Sequence, residues 1–122
     1  MEPHDTTLEP QMLVACLCAD WCGTCREYQP RFALLQASFP GIHFLWVDVE
    51  DKSELVDPIE VENFPTLLMA TRQQVRFFGT VMPHPETLRR LIDTQLAPGA
   101  SGLAPSPGRD ALARRLWEHI SP

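Results

Sequence analysis

Long apolar runs separated by amphipathic segments predict a buried sheet in this chain. The first run spans Met12–Cys18, and a second, mostly apolar run spans Ile42–Val49. A strand that is covered on both faces carries a continuous apolar run, so both segments are predicted to be central strands. Two shorter segments, Thr66–Ala70 and Gln74–Phe78, are separated by only three residues, which predicts an antiparallel hairpin.

Between the strands, apolar positions recur at the spacing of one helix face. In the first such segment they are Cys25, Tyr28, Phe32, Leu35 and Phe39. Steps of three and four predict a helix, in which Pro30 is expected to produce a kink. The acidic stretch Glu50–Glu62 predicts a short surface helix and loop. Another helix is predicted after His84, because Pro85 suits the first helical position, and a last one over residues 110–120.

The order of these elements predicts an α/β fold with a mixed four-stranded sheet flanked by helices. The length of 122 residues suits a single domain. Residues 1–10 are expected to be a short leader, 11–97 the domain, and 98–109 a linker rich in proline, glycine, serine and alanine. Residues 110–122 then form an added amphipathic helix. We expect it to fold back onto the domain, with docking to a partner or disorder as the alternatives.

Charge and hydropathy exclude some classes of function. The net charge of −6 argues against general nucleic-acid binding. The longest apolar run, Met12–Ala19, is far shorter than the roughly 20 residues of a membrane span. The acidic start lacks the basic region of a secretory signal, so we expect a cytoplasmic protein. The acidic stretch 48–62 predicts a solvated surface, with an acidic docking surface as the alternative.

All four cysteines are crowded between positions 16 and 25. In a reducing compartment such clusters are usually metal-binding or redox-active. The central motif is Trp21-Cys22-Gly23-Thr24-Cys25. It joins a buried strand to a helix, whose free N–H groups and dipole stabilise a thiolate at the first cysteine. We therefore expect Cys22 to be the exposed attacking thiol, Gly23 to allow the turn, and Cys25 to be shielded on the buried helix face.

The other two cysteines lie within the first predicted strand. Cys16 and Cys18 alternate with Leu17, so both are predicted to point to the same face of the sheet. The simpler interpretation is that both are small buried apolar side chains. A second redox pair or regulatory thiols are the alternative, and a zinc site made of all four cysteines is a remoter one.

Together, these motifs resemble the thioredoxin family. The Trp-Cys-Gly-Thr-Cys motif follows an apolar strand, and Pro30 matches the family's kinking proline. Phe64 and Pro65, which open a strand, resemble its cis-proline motif, and Gly79 matches a further glycine that we associate with a bulge or bend. The resemblance covers residues 11–97 and implies a thioredoxin-like fold.

By this resemblance the chain is a thiol–disulfide oxidoreductase that reduces protein disulfides. Cys22 would be the nucleophile and Cys25 the resolving thiol, and the two would form the redox-active disulfide without a metal or organic cofactor. The implied surrounding residues are Trp21, Gly23, Thr24, Phe64 and Pro65. The implied partners are disulfide-bearing proteins and an external reductant such as a thioredoxin reductase or glutathione, and neither nucleic acid nor membrane is expected. The alternative is a thioredoxin-like binding module that holds a protein partner without redox turnover.

Three departures from the family pattern bear on function. Cys16 stands where the family has a buried aspartate, and Trp46 stands where it has the lysine partner, so the buried acid–lysine pair is missing. The dipeptide between the active cysteines is Gly-Thr instead of the commoner Gly-Pro, which leaves the redox direction open. The residues before Trp21 are too few for the family's leading strand and helix, which the C-terminal helix is expected to replace.

Overall fold

The computed structural model describes residues 11–19, 21–56, 65–82, 84–97, 99 and 102–120. The strands are β1 (Met12–Cys18), β2 (Ile42–Asp48), β3 (Thr66–Ala70) and β4 (Val75–Thr80). They form one sheet in the order β2-β1-β3-β4, in which β1 and β2 are parallel and the other pairs are antiparallel. The predicted mixed four-stranded sheet is therefore confirmed. The predicted leader, residues 1–10, lies outside the described residues.

Four α-helices and one short 3₁₀ turn surround this sheet within the described residues. They are α1 (Gly23–Leu35), the 3₁₀ turn Gln36–Ser38, α2 (Ser53–Val56), α3 (Pro85–Leu96) and α4 (Pro107–Ile120). Pro85 is the first residue of α3, as predicted. Pro30 lies inside α1, and the kink expected there stays a prediction. In the part of the chain that is described, no helix has the length and apolar character that crossing a membrane requires.

The central strand β1 contributes to two separate hydrophobic clusters. All seven of its residues are buried, which explains its uninterrupted apolar run. Successive side chains point to opposite faces, so Cys16 and Cys18 lie on the face that packs against α1 and α3, while Leu13 and Leu17 lie on the other face. The prediction that the two cysteines share one face is confirmed.

The helix α4 covers the second face of the sheet. Leu112 and Leu116 are fully buried in the cluster that contains Leu13 and Leu17. The indole Nε1 of Trp117 donates a hydrogen bond of 3.0 Å to the Thr71 carbonyl oxygen, and this adds a polar tether. The C-terminal segment therefore folds back onto the domain, as expected from its amphipathic pattern.

The start of α4 differs from the sequence-based prediction, which assigned residues up to 109 to the linker. The helix begins at Pro107, whose fixed φ angle suits the first helical position. The carboxylate of Asp110 accepts a hydrogen bond of 3.2 Å from the Ser106 N–H, and the Asp110 N–H donates one of 2.8 Å to the Ser106 carbonyl oxygen. A proline- and glycine-rich stretch thus becomes a capped helix start instead of a continued linker.

The hairpin also differs in detail from its prediction. The ladder between β3 and β4 contains a bulge at the turn end of the hairpin. Met69 pairs with Phe77, but the next residue, Ala70, pairs with Val75, so Arg76 is the extra residue in β4. Gly79 continues the regular ladder opposite Leu67 and marks no bulge. The expectation of a bulge or bend at Gly79 was therefore wrong.

Candidate active site

The candidate site lies where β1 ends and α1 begins. The Cys22 N–H donates a hydrogen bond of 3.0 Å to the Ala19 carbonyl oxygen, which closes a turn just after the strand. Cys22 has extended backbone angles and is the N-cap residue of α1. Its carbonyl oxygen accepts a bond of 3.1 Å from the Arg26 N–H, which is the first helical hydrogen bond. The turn therefore holds Cys22 at the positive end of the α1 dipole.

The two cysteines of the motif differ in exposure. Cys25 is 1% exposed and begins the buried stripe of α1 that continues through Tyr28 and Phe32. Cys22 is partly exposed and packs against the edge of the same cluster. Gly23 and Thr24, between them, are both exposed. The exposure of each cysteine agrees with the role predicted for it, and the roles themselves stay predictions.

The disulfide in the structure is not the expected Cys22–Cys25 pair. Cys25 is bonded to Cys18, with a Cα–Cα distance of 5.9 Å, and Cys22 is a free thiol. The reason is geometric: Cys18, the last residue of β1, points to the face on which α1 packs. The Cα distance lies inside the usual range of about 4.4–6.8 Å for disulfides. The alternation along β1 leaves a second redox pair of Cys16 and Cys18 open, but it does not identify Cys18 as a partner of Cys25.

Cys16 is the fourth cysteine and is also a free thiol. It is fully buried, and burial raises the pKa of its thiol far above the usual range. Its Sγ lies 3.8 Å from the Sγ of Cys18. The neighbouring strand places Trp46 directly beside it in register. The two positions where the family has its acid–lysine pair are therefore adjacent here, and neither carries a charge.

Tyr28 belongs to the same buried region. Its ring contacts the rings of Phe32 and Trp46 at centroid distances of 6.1 and 6.5 Å, so it is a packing residue, as predicted. Burial, and to a smaller extent the Cys16 thiol, raise the pKa of its hydroxyl. That hydroxyl is buried and has no hydrogen-bond partner among the described residues. In the described part of the chain, no group of three or more Cys, His, Asp or Glu side chains is placed to hold a metal ion.

Trp21 forms the outer rim of the site. It is 62% exposed, and its indole Nε1 donates a hydrogen bond of 3.0 Å to a carboxylate oxygen of Glu50. The loop that carries Glu50 is held by the Asp48 carboxylate, which accepts bonds from the Glu50 and Asp51 N–H groups at 2.9 and 3.1 Å. The Val49 N–H donates to the Cys18 carbonyl oxygen at 2.8 Å. These hydrogen bonds after β2 therefore hold Glu50, and through it the Trp21 indole, at the edge of the site.

The acidic stretch 48–62 is only partly described, because residues 57–62 lie outside the described residues. Within the described part, Glu50, Asp51 and Glu54 are exposed. This agrees with a solvated acidic surface.

Pro65 lies at the same end of the sheet. It is buried, and its carbonyl oxygen accepts a hydrogen bond of 3.1 Å from the Val81 N–H. The next residue, Thr66, pairs with Leu17, so continuing this antiparallel register places Pro65 beside Cys18. Phe64, the other residue predicted on this side of the site, lies outside the described residues. The predicted cis peptide bond between the two stays a prediction.

Gly23 has a simpler role than predicted. It is the first residue of α1, and among the described glycines only Gly99 has a positive φ angle. A Cβ atom added at Gly23 would lie 3.8 Å from an Arg26 guanidinium nitrogen, which is an ordinary van der Waals contact. The turn between the two cysteines therefore does not depend on glycine in this backbone.

Comparison with known proteins agrees with the fold described above. The family model described as thioredoxin matches residues 3–93. The chain belongs to the thioredoxin family. Among solved structures, a thioredoxin from Trypanosoma brucei brucei is similar with a TM-score of 0.63 and 25% identity, covering 76% of this chain and 81% of that one. The thioredoxin of Fasciola hepatica has a TM-score of 0.63 and 24% identity, covering 75% and 88%, and shows the fold alone.

Curated relatives match over a shorter region. A thioredoxin H-type of Oryza sativa subsp. indica is 46% identical over 50 residues, which are 41% of this chain and 41% of that protein. Thioredoxin-2 of Pyricularia oryzae is 37% identical over 51 residues, which are 42% of this chain and 30% of that protein. The chain therefore spans less than half the length of these two relatives. Membership in the thioredoxin family supports thiol–disulfide oxidoreductase activity in general.

Proposed function

We propose that this protein is a thiol–disulfide oxidoreductase that reduces protein disulfides through Cys22 and Cys25. One observation carries the proposal: a partly exposed thiol at the N-cap of α1 is followed, one helical turn later, by a buried cysteine. The helix dipole favours negative charge at the first position, and a thiolate is the attacking species in disulfide exchange. Because the Cys25 sulfur is buried, it can react with the mixed disulfide at Cys22 but not directly with a substrate in solution.

The reaction has two exchange steps. The Cys22 thiolate attacks one sulfur of a substrate disulfide, forms a mixed disulfide and releases the other substrate sulfur as a thiolate. The Cys25 thiolate then attacks the Cys22 sulfur, forms the Cys22–Cys25 disulfide and releases the second substrate sulfur. The substrate gains two electrons and takes up two protons, and the chain loses two electrons. An external reductant, a thioredoxin reductase or glutathione, returns them in the cytoplasm.

The surroundings of the thiols suit an extended substrate segment. Pro65 continues β3 next to the end of β1, and the Trp21–Glu50 hydrogen bond forms the opposite rim. In our proposal the backbone at Phe64 pairs with the substrate in the manner of an added strand, which recognises the backbone more than the side chains. No metal or organic cofactor takes part in these steps.

Replacing Cys25 with serine provides a direct test. Cys25→Ser removes the resolving thiol, so mixed disulfides between Cys22 and substrate proteins should accumulate and be released by reductant. They are measured by non-reducing gel electrophoresis and mass spectrometry after acid quenching. The control is the double variant Cys22→Ser/Cys25→Ser, which should trap nothing. Partners that remain bound to the double variant, with no covalent adducts on Cys25→Ser, would support a binding module instead.

The missing acid–lysine pair leads to a second prediction. Cys16 Sγ lies 3.8 Å from the Cys18 sulfur that bonds Cys25, so an aspartate at position 16 would be close enough to assist deprotonation of the resolving thiol. Cys16→Asp should therefore speed release of the second substrate thiol by a factor on the order of 10². The matched control is Cys16→Asn, which has nearly the same shape and does not ionise. Equal rates for the two variants, measured by rapid quench from the fully reduced chain, would refute this role.

A further inference from the structure

Cys25 has two potential partners within reach. Cys18 is its partner in the structure, with the two Cα atoms 5.9 Å apart. Cys22 precedes it by three residues at the start of α1, and residues at this spacing lie on the same side of a helix, with Cβ atoms about 5–6 Å apart. Both partners pack on the same hydrophobic cluster as Cys25.

The sulfurs of these cysteines differ in access to solvent. Cys18 and Cys25 are each 1% exposed, so a reductant or a substrate disulfide cannot approach the bond between them directly. Cys22 is partly exposed and remains a thiol when that bond is formed. The chain therefore contains a shielded disulfide with a solvent-accessible thiol next to it.

We infer that Cys18 and Cys22 compete for Cys25, so that the chain switches between an exchangeable Cys22–Cys25 disulfide and a shielded Cys18–Cys25 disulfide. This inference rests on the proposed function, in which Cys25 resolves mixed disulfides on Cys22. In the shielded form Cys25 is unavailable, and Cys22 acts as a single thiol. A mixed disulfide formed at Cys22 in this form is not resolved from inside the chain.

The switch is an internal exchange that conserves electrons. The Cys18 thiolate attacks the Cys25 sulfur of the Cys22–Cys25 disulfide, the Cys18–Cys25 bond forms, and Cys22 leaves as a thiolate. One disulfide is present before and after, and the proton lost by Cys18 is matched by the one that Cys22 takes up. In the reverse step the Cys22 thiolate attacks the Cys25 sulfur, so Cys22 is also the route by which an external dithiol reduces the shielded bond.

Disulfide mapping tests the pairing directly. The full chain is oxidised with a limited amount of oxidised glutathione, and exchange is stopped with acid. The remaining thiols are then alkylated in denaturant near neutral pH with an excess of alkylating agent, and the chain is cleaved before aspartate residues. Cleavage before Asp5, Asp20 and Asp48 separates peptide 5–19, which holds Cys16 and Cys18, from peptide 20–47, which holds Cys22 and Cys25. A Cys18–Cys25 bond links the two peptides, whereas a Cys22–Cys25 bond stays within the second.

Three variants assign the linked cysteines. We expect the linked pair of peptides in the wild type, in Cys22→Ser and in Cys16→Ala, and its loss in Cys18→Ala. Cys16→Ala is the matched control. Cys16 lies on the same strand and the same sheet face as Cys18 and is buried to the same extent, but it is a free thiol. Absence of the linked peptides from the wild type overturns the switch, as does a link that is lost in Cys16→Ala and kept in Cys18→Ala.

The route of reduction provides a second readout. Dithiothreitol should reduce the linked form at least about tenfold more slowly in Cys22→Ser than in the wild type, since only Cys22 is placed to attack the shielded sulfur from the surface. Equal rates overturn the assignment of Cys22 as the route. Release of substrate thiols by the fully reduced wild type, measured in parallel, reports the proposed function separately. A chain that releases them but never forms the linked peptides has the function without the switch.

Discussion

Replacing Cys22 with serine should lower the rate of protein-disulfide reduction by a factor of at least about 10³. A serine hydroxyl stays protonated at neutral pH and does not attack disulfides. The neighbouring sulfurs cannot substitute, because Cys18 and Cys25 are each 1% exposed and Cys16 is fully buried. The rate is measured as substrate thiol release under excess reductant, after subtracting the reaction of the reductant alone.

Cys16→Ala is the control for this experiment. It also removes one sulfur from the site region, but Cys16 is unbonded and has no access to substrate. We expect it to retain most of the wild-type rate. If Cys22→Ser remained active, or if both variants lost activity equally, Cys22 would not be the attacking thiol.

Shortening one side chain of α4 should destabilise the whole domain. Leu116 is fully buried between α4 and the second face of the sheet, so Leu116→Ala should lower the free energy of unfolding by about 2–5 kcal/mol. Removing residues 98–122 should have a larger effect, because it exposes Leu13 and Leu17 as well and removes Trp117 from Thr71. A domain has only about 5–15 kcal/mol of stability in total, so the truncated chain is expected to be largely unfolded.

Denaturant unfolding followed by circular dichroism measures both effects. Glu118→Ala, on the exposed side of the same helix, is the matched control and should change the free energy of unfolding by less than about 0.5 kcal/mol. An unchanged midpoint after the truncation would show that α4 does not complete the core.

The strands could be predicted from the sequence because a strand that is buried on both faces consists of consecutive apolar residues. β1 is covered on both faces, and its bounds, Met12–Cys18, match the continuous apolar run Met12–Ala19 to within one residue. The start of α4 was harder to predict. Pro107 and Gly108 are typical of linkers, and only the hydrogen bonds between Ser106 and Asp110 show that the helix begins there.

The chemistry of the site was only partly predictable, because one part of it depends on local sequence and another on tertiary packing. The three-residue spacing of Cys22 and Cys25 is local, so their position at the helix start follows from the motif. The pairing of Cys18 with Cys25 depends on where α1 crosses the end of β1, which is a tertiary relationship. Alternation along β1 predicts the face to which Cys18 points, but it does not predict which helical residue packs above it.

A stoichiometric reaction of the fully reduced chain with a disulfide-bonded protein tests the central claim most directly. With no other reductant present, the substrate thiols released and the chain thiols lost are counted in the same quenched sample. We expect each chain to reduce one substrate disulfide, and an intramolecular disulfide containing Cys25 to appear as the substrate thiols are released. A reduced, folded chain that releases no substrate thiols, and whose Cys22 and Cys25 stay reduced, would contradict it.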